Sequence, residues 1–354
     1  MANVTNISNS SNSTISIFAN SSSLNTAVWI ATAGACFSYG LGFIGNFLSL
    51  IVFYSQEEFR KISTGLLFIL ITIANLFHLW TLLTEFLTTY GISMFQQIFF
   101  QCRLTYFIQN VSRAMSTYFM VAVAIDRLIR TEFPARSKTL CTRRNVILFT
   151  VIFFIIFSLF WSFYLYPMPS VTSKKGSCTF TYTPTFNYFL STLYIPIRVV
   201  LVCFIPLIIM LLANIRMIFN IRQSQRRVTN QITGGSSRIN RPVPSVSSSV
   251  GRPSRRMTAL DRMLFYMMVA NVLTFLISQV PLHTFMWIRN SLTGYDDFTL
   301  SFIRTVLLIW SSLYFGVAFY FYCLASPLFR EKFMKIICFN INSRSTTILP
   351  MISK

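Results

Sequence analysis

The chain has 354 residues, of which 54% are hydrophobic, 16% aromatic and 11% charged. An average soluble domain carries about 25% charged residues, so a water-soluble globule is excluded. The formal net charge of +21 raises the possibility of nucleic acid as a partner. The bases flank long apolar blocks, however, so no nucleic acid is expected and anionic membrane lipid is the plainer partner.

Residues 1–26 form an uncharged polar tail. Asn3, Asn6, Asn9, Asn12 and Asn20 each open an Asn-x-Ser/Thr triplet, the acceptor for N-glycosylation. Five such triplets in a segment without a core-forming pattern predict a glycosylated extracellular tail. No basic stretch leads into an apolar core here, so no cleavable signal peptide is expected and the first span serves as the anchor.

Seven apolar blocks follow, at about Ala27–Tyr54, Thr64–Thr89, Phe99–Arg127, Asn145–Tyr166, Tyr188–Asn220, Ala259–Ile288 and Ser301–Leu324. Each is long enough for a helix to cross a hydrocarbon layer of ~30 Å, which takes about twenty residues. Membrane strands alternate over about ten residues, a pattern these blocks lack. The expected fold is all-α, a seven-transmembrane helix bundle over residues 27–325 with a short amphipathic eighth helix after it.

The connecting loops alternate in charge. Arg60 and Lys61 follow the first span, and Arg130, Arg136, Lys138, Arg143 and Arg144 follow the third. The loop after the fifth span, 222–256, is rich in Ser, Arg, Gly and Pro and is expected to be disordered. Its helical flanks would be the transducer contact, and Ser254 and Thr258 sit in basic contexts that suit kinases. The opposite loops carry few bases, chiefly Lys174, Lys175 and Arg289. Basic loops stay cytoplasmic, which places the N-terminus outside and the C-terminus inside the plasma membrane.

The third span runs between Cys102 and Arg127, twenty-five residues apart, or roughly 37 Å of helix. The cysteine then lies at the outer face and Asp126-Arg127 at the inner one. An oxidising exterior would let Cys102 pair with Cys178 of the second outer loop; the other cysteines are expected to stay reduced. Beyond the seventh span, residues 326–354 form the amphipathic helix and cytoplasmic tail. Phe329, Phe333 and Ile337 are expected to face inward and Arg330, Lys332 and Lys335 outward. Cys338 is a palmitoylation candidate.

These residues resemble the rhodopsin-like G-protein-coupled receptors, peptide receptors in particular, over roughly Gly40–Phe339. The resemblance is carried by Gly45-Asn46, Cys102 and Cys178, Asp126-Arg127 with Leu128 replacing a tyrosine, Pro134, Phe204-Ile-Pro-Leu207, Phe275, Pro281 and the exit "FYCLASPLFREKF". Several positions depart from the family pattern. Asn75 replaces an aspartate, and an amide cannot supply the charge a bound sodium ion needs. Ser278-Gln279-Val280-Pro281 lacks the aromatic toggle of the sixth span, and Ala318-Phe-Tyr-Phe-Tyr322 keeps only the tyrosine of the seventh. Trp161 sits too far along to be the family's fourth-span tryptophan.

The resemblance implies a receptor that activates heterotrimeric G proteins, with arrestin and receptor kinases as further partners. It also implies a switch built from Asp126, Arg127, Asp261, Phe275, Pro281 and Tyr322. At rest Arg127 would pair with Asp126 and Asp261, and it would break free as the sixth helix swings outward. Gln109 stands where amine receptors carry an aspartate, and Ser312 where opsins carry a lysine, so both subclasses are disfavoured.

Charges within spans are costly and usually functional. Glu85, Arg113, Arg198 and Arg304 are such charges in the outer half of the bundle. Gln109 and Arg113 share the face of the third helix that carries Arg127, and Gln279 and His283 stand at similar depth on the sixth. Three bases against one acid suit an anionic ligand group, such as a peptide carboxylate. Pairing of Glu85 with Arg113 or Arg304, fixing the bundle, is the equal alternative. No metal-ligand cluster and no nucleotide-binding glycine loop occurs, so neither enzyme activity nor a cofactor is expected. A transporter or channel, or a ligand-binding receptor that does not signal, are the competing readings.

Overall fold

The computed structural model describes residues 21–89, 92–166, 171–174, 177–180, 183–235, 259–292, 294–325, 327 and 329–336. All seven expected spans are helical. The first four are Ser21–Ser55, Ser63–Thr89, Thr105–Glu132 and Arg143–Phe160. The fifth is built from consecutive segments between Pro184 and Gly235. The sixth is Ala259–Ile288, and the seventh is Asp297–Gly316 followed by Ala318–Ala325. The fifth helix therefore reaches well into the loop 222–256, whose composition predicts no regular structure.

Six of these helices are long and apolar enough to cross a membrane on composition alone. The third is not, and its place in the bundle explains why. Its residues from Gln109 to Arg127 are buried almost without interruption, because it packs against the second, fourth, fifth and sixth helices at once. A helix walled by protein can carry polar side chains that lipid would reject. The fourth helix shows the opposite habit. Ile147, Leu148, Val151, Ile152, Ile155 and Leu159 are exposed on its surface, an apolar strip suited to lipid contact.

Close approach of the first and seventh helices depends on missing side chains. A Cβ added to Gly316 would sit 2.8 Å from the Cα of Gly42. Beside this contact the seventh helix breaks at Val317, although Phe319 stands where the family carries its proline. Just before the break, the Phe315 carbonyl accepts from Asn46 Nδ2 on the first helix at 2.6 Å.

The fifth helix contains two π-helical turns, Leu190–Tyr194 and Val200–Phe204, on either side of Ile195–Val199. Each wider turn shifts the register of the side chains that follow it. Arg198 stands between them and is turned toward the cavity described below.

The second outer loop adds a feature that the search for apolar spans passes over. Val171–Lys174 pairs antiparallel with Ser177–Phe180, and Cys178 lies opposite Ser173. Cys102 is disulfide-bonded, while Cys36, Cys141, Cys203 and Cys323 are free.

The eighth helix corrects one expectation. Phe329 is buried among Phe53, Phe319 and Tyr322, and Arg330 and Lys335 are exposed, as its amphipathic pattern requires. Lys332 is not outward: it is buried with its Nζ 5.4 Å from the centre of the Phe59 ring. The long alkyl stem and the aromatic face of the first inner loop make that inward turn favourable.

Candidate functional site

Glu85, Gln109, Arg113, Arg198, His283 and Arg304 come from five different helices, and all line one cavity of about 100 Å³ in the outer half of the bundle. Tyr106, Asn110, Tyr164 and Met286 complete its polar and soft apolar wall. Tyr106 lies three residues before Gln109 and seven before Arg113, so helical spacing alone would have found it. Tyr164 follows the fourth helix on a 3-10 turn, where no sequence period points to it.

The hydrogen bonds of Glu85 come from neutral donors. Tyr106 donates its hydroxyl to Oε1 of Glu85 at 3.2 Å, and Gln109 Nε2 donates to Oε2 at 2.8 Å. Among the described residues no ion pair within 4 Å joins Glu85 to Arg113, Arg198 or Arg304.

Arg113 is 5% exposed and, among the described residues, has no carboxylate within ion-pair distance. Its Nη2 lies 3.4 Å from Nε2 of His78, and its Nε has no hydrogen-bond partner. His78 Nδ1 lies 3.0 Å from the carbonyl of Gln109. For Nε2 to accept from Arg113, Nδ1 must carry the proton and donate to that carbonyl. A neutral imidazole therefore braces the guanidinium without cancelling its charge. The sequence gives no reason to single out His78, because a lone histidine on an apolar face carries no such signal.

Gln279 does not reach the cavity. It lies one turn deeper than His283 and donates Nε2 to the carbonyl of Ser311 at 2.7 Å. Asn75 also looks inward, accepting from Ser116 Oγ at 2.5 Å. Among the described residues no group of three or more His, Cys, Asp or Glu is placed to hold a metal.

A second polar cluster closes the inner end of the third helix. Asp126 accepts from Ser63 Oγ at 2.6 Å, from Thr64 Oγ1 at 2.5 Å and from Arg130 Nε at 2.9 Å. Ser63 and Thr64 in turn accept from Arg130 Nη2 at 2.7 Å and Arg127 Nη2 at 2.5 Å. The expected partner Arg127 stands farther off, its Nε 3.9 Å from Asp126 Oδ2. Arg130 and the two hydroxyls are thus the closer partners of Asp126: Arg130 sits four residues on along the same helix, a spacing that brings side chains together, whereas tertiary structure brings the hydroxyls there. The helical segment that carries Asp261 is described, but its side chain lies outside the described residues.

Nearby, Cys141 directs its thiol at the Asp126 carbonyl at 3.7 Å. Burial and the Asp126 charge push that thiol up to about 12, so it stays a neutral S–H donor. Glu132 accepts from Asn220 Nδ2 at 3.1 Å and pairs with Arg216 at 3.3 Å, joining the third helix to the fifth.

Of the remaining switch residues, Phe275 is buried edge-on against Tyr314, with ring centres 5.3 Å apart. Tyr322 accepts from Asn271 Nδ2 at 2.7 Å, a sixth-helix partner that sequence spacing does not reveal. Pro281 lies inside the sixth helix. Asn3, Asn6, Asn9, Asn12, Asn20 and Cys338 lie outside the described residues, as does the side chain of Cys178.

Residues 45–329 match the family of seven-transmembrane receptors of the rhodopsin family, and the chain belongs to that family. The chain is 25% identical over 344 residues to a probable G-protein coupled receptor of Caenorhabditis elegans, covering 90% of this chain and 73% of that protein. It is 26% identical over 129 residues to galanin receptor 2b of Danio rerio, covering 36% of this chain and 34% of that receptor. The protein is a multi-pass membrane receptor of the G-protein-coupled class, a family of receptors rather than enzymes.

Proposed function

We propose that this receptor sits in the plasma membrane with its N-terminus outside and binds an extracellular peptide through an anionic group. Binding moves the sixth helix outward and opens the inner end of the third to a heterotrimeric G protein. The observation that carries this reading is Arg113, a buried guanidinium in the cavity with no carboxylate within ion-pair distance among the described residues. Burying an unpaired charge is expensive, and a ligand carboxylate would relieve that cost. Arg198 and Arg304 on the same cavity wall favour the same sign of ligand. Alignment of part of the chain with a receptor named for galanin supports an extracellular messenger.

The cavity admits only a small part of such a ligand. A cavity of about 100 Å³ receives a side chain or a chain end, so the remainder would lie above, against the outer loops. Glu85, satisfied by neutral donors, marks the opposite wall and would discriminate against a second anionic group there.

Cells expressing the chain with promiscuous G proteins, screened with pooled peptides, provide the test. Once an active peptide is in hand, Arg113→Gln should raise its half-maximal concentration at least on the order of 30-fold, the cost of breaking a buried charge pair. Replacing the peptide's acidic group by its amide should do the same in the wild type and little in the variant. Unchanged potency in Arg113→Gln and Arg198→Gln would refute the anionic contact.

A further inference from the structure

Pro281 has no amide hydrogen, so the carbonyl four residues earlier loses the donor an unbroken helix would supply. That carbonyl belongs to Ile277. The sixth helix continues through the proline regardless, from Ala259 to Ile288. A donor arrives from outside the helix: Nε1 of Trp310, on the seventh helix, donates to the Ile277 carbonyl at 3.0 Å.

The setting raises the importance of this bond. Ile277 is 59% exposed and Trp310 45% exposed, on a surface that faces lipid in a membrane. No water is present there to replace a missing donor. On the buried side of the same helix, Gln279 donates in the opposite direction, to the Ser311 carbonyl at 2.7 Å. Trp310 and Ser311 are consecutive, and Ile277 and Gln279 are two apart. The two helices are therefore stapled at the proline on both faces, and only the outer staple ends on the proline-freed carbonyl.

We propose that Trp310 is a positioning residue for the sixth helix: it supplies the hydrogen bond that Pro281 withholds, fixes the bend, and holds the inner half of that helix in place. Arg127 is engaged with Thr64 and Asp126 in the same structure, so the bond belongs to the resting arrangement. Its loss frees the hinge. The consequence for signalling rests on the proposed G-protein function, whereas the mechanical consequence does not.

Trp310→Phe keeps an aromatic ring on the lipid face and removes the donor. It should raise ligand-free G-protein signalling about threefold to tenfold, matching one interhelical membrane hydrogen bond. In purified receptor in lipid nanodiscs, spin labels at the inner ends of the third and sixth helices should report a longer or broader distance distribution. Pro281→Ala returns a backbone donor to Ile277, so in that background Trp310→Phe should change neither readout. A benzothienyl side chain at Trp310, which keeps the indole shape without its N–H, provides the same test should the phenylalanine variant fold poorly.

An effect of equal size with and without Pro281 would overturn the proposal, since Trp310 would then act by packing alone. Unchanged distances in both donor-lacking variants would overturn it as well. Altered distances without any G-protein response would uphold the hinge and count instead against the signalling function.

Discussion

At the scale of single residues, the inner end of the third helix separates two arginines that the sequence makes look alike. Arg127 and Arg130 both stand near Asp126, yet Arg130 Nε approaches it to 2.9 Å and Arg127 Nε only to 3.9 Å. The two guanidinium groups compete for one carboxylate whose remaining lone pairs are taken by Ser63 and Thr64. Removing Arg130 should let Asp126 draw Arg127 closer and hold the resting state more firmly. Arg130→Gln is therefore expected to lower ligand-free signalling, and Asp126→Asn to raise it, each by roughly tenfold to a hundredfold for one charge-assisted hydrogen bond. Signalling without ligand, normalised to surface expression, measures both. Changes in the same direction would show that the cluster acts as one structural block rather than as a competition.

Legibility at this scale follows from the range of the interaction. Glu85, Arg113, Arg198 and Arg304 can be read from the sequence because a charge inside an apolar span is conspicuous wherever its partner lies. Ser63 and His78 cannot, since each becomes significant only through a contact from one helix to another, with a residue far away along the chain; Arg130, four residues after Asp126 on the same helix, is within reach of helical spacing. Lys332 misleads for a related reason. Its charge implies water, and the Phe59 ring that receives it belongs to a distant loop between the first two spans.

At the scale of elements, hydropathy places every span but not what bends or breaks it. The π-helical turns that bracket Arg198 and the break at Val317 leave no periodic signal, being set by packing between helices. The first and seventh helices illustrate how severe that packing is. Gly316 meets backbone, not a flexible side chain, when a Cβ is added: Gly42 Cα lies 2.8 Å away. Gly316→Val should force the helices apart and cost roughly 1–3 kcal/mol, the usual range for overpacking. Gly40, on the same first helix, has nothing within 4 Å of an added Cβ. Gly40→Ala should be neutral or stabilise by about 0.4–1 kcal/mol through the unfolded chain. Thermal midpoints of the two purified variants, measured in one detergent, test the contrast. Equal losses would mean that close approach at Gly316 does not decide the outcome, since helix propensity favours both replacements.

At the scale of the whole molecule, orientation turns on the third helix. The six spans that qualify on composition alone would bring both termini to one side of the membrane. The third changes the parity, yet it carries Arg113, and an arginine at the centre of a lone helix costs about 2.5–3.5 kcal/mol to insert. Its insertion should therefore depend on the neighbours that bury it, not on its own hydropathy. The basic loops argue for the same topology, since moving Arg130, Arg136, Lys138, Arg143 and Arg144 outward would place that whole cluster on the wrong face. An N-terminal epitope should accordingly be labelled on intact cells, and a C-terminal one only after permeabilisation. Treatment with an N-glycosidase should lower the apparent mass through the tail that carries Asn3 to Asn20. In truncated chains ending after the third span, a C-terminal reporter should be left partly outside, whereas in chains that extend through the fifth it should lie inside, because in the shorter chain the wall that shields Arg113 is not yet built. Full insertion of the truncated chain would show that the third helix needs no protein around it, and shielding by its neighbours would no longer account for its polar interior.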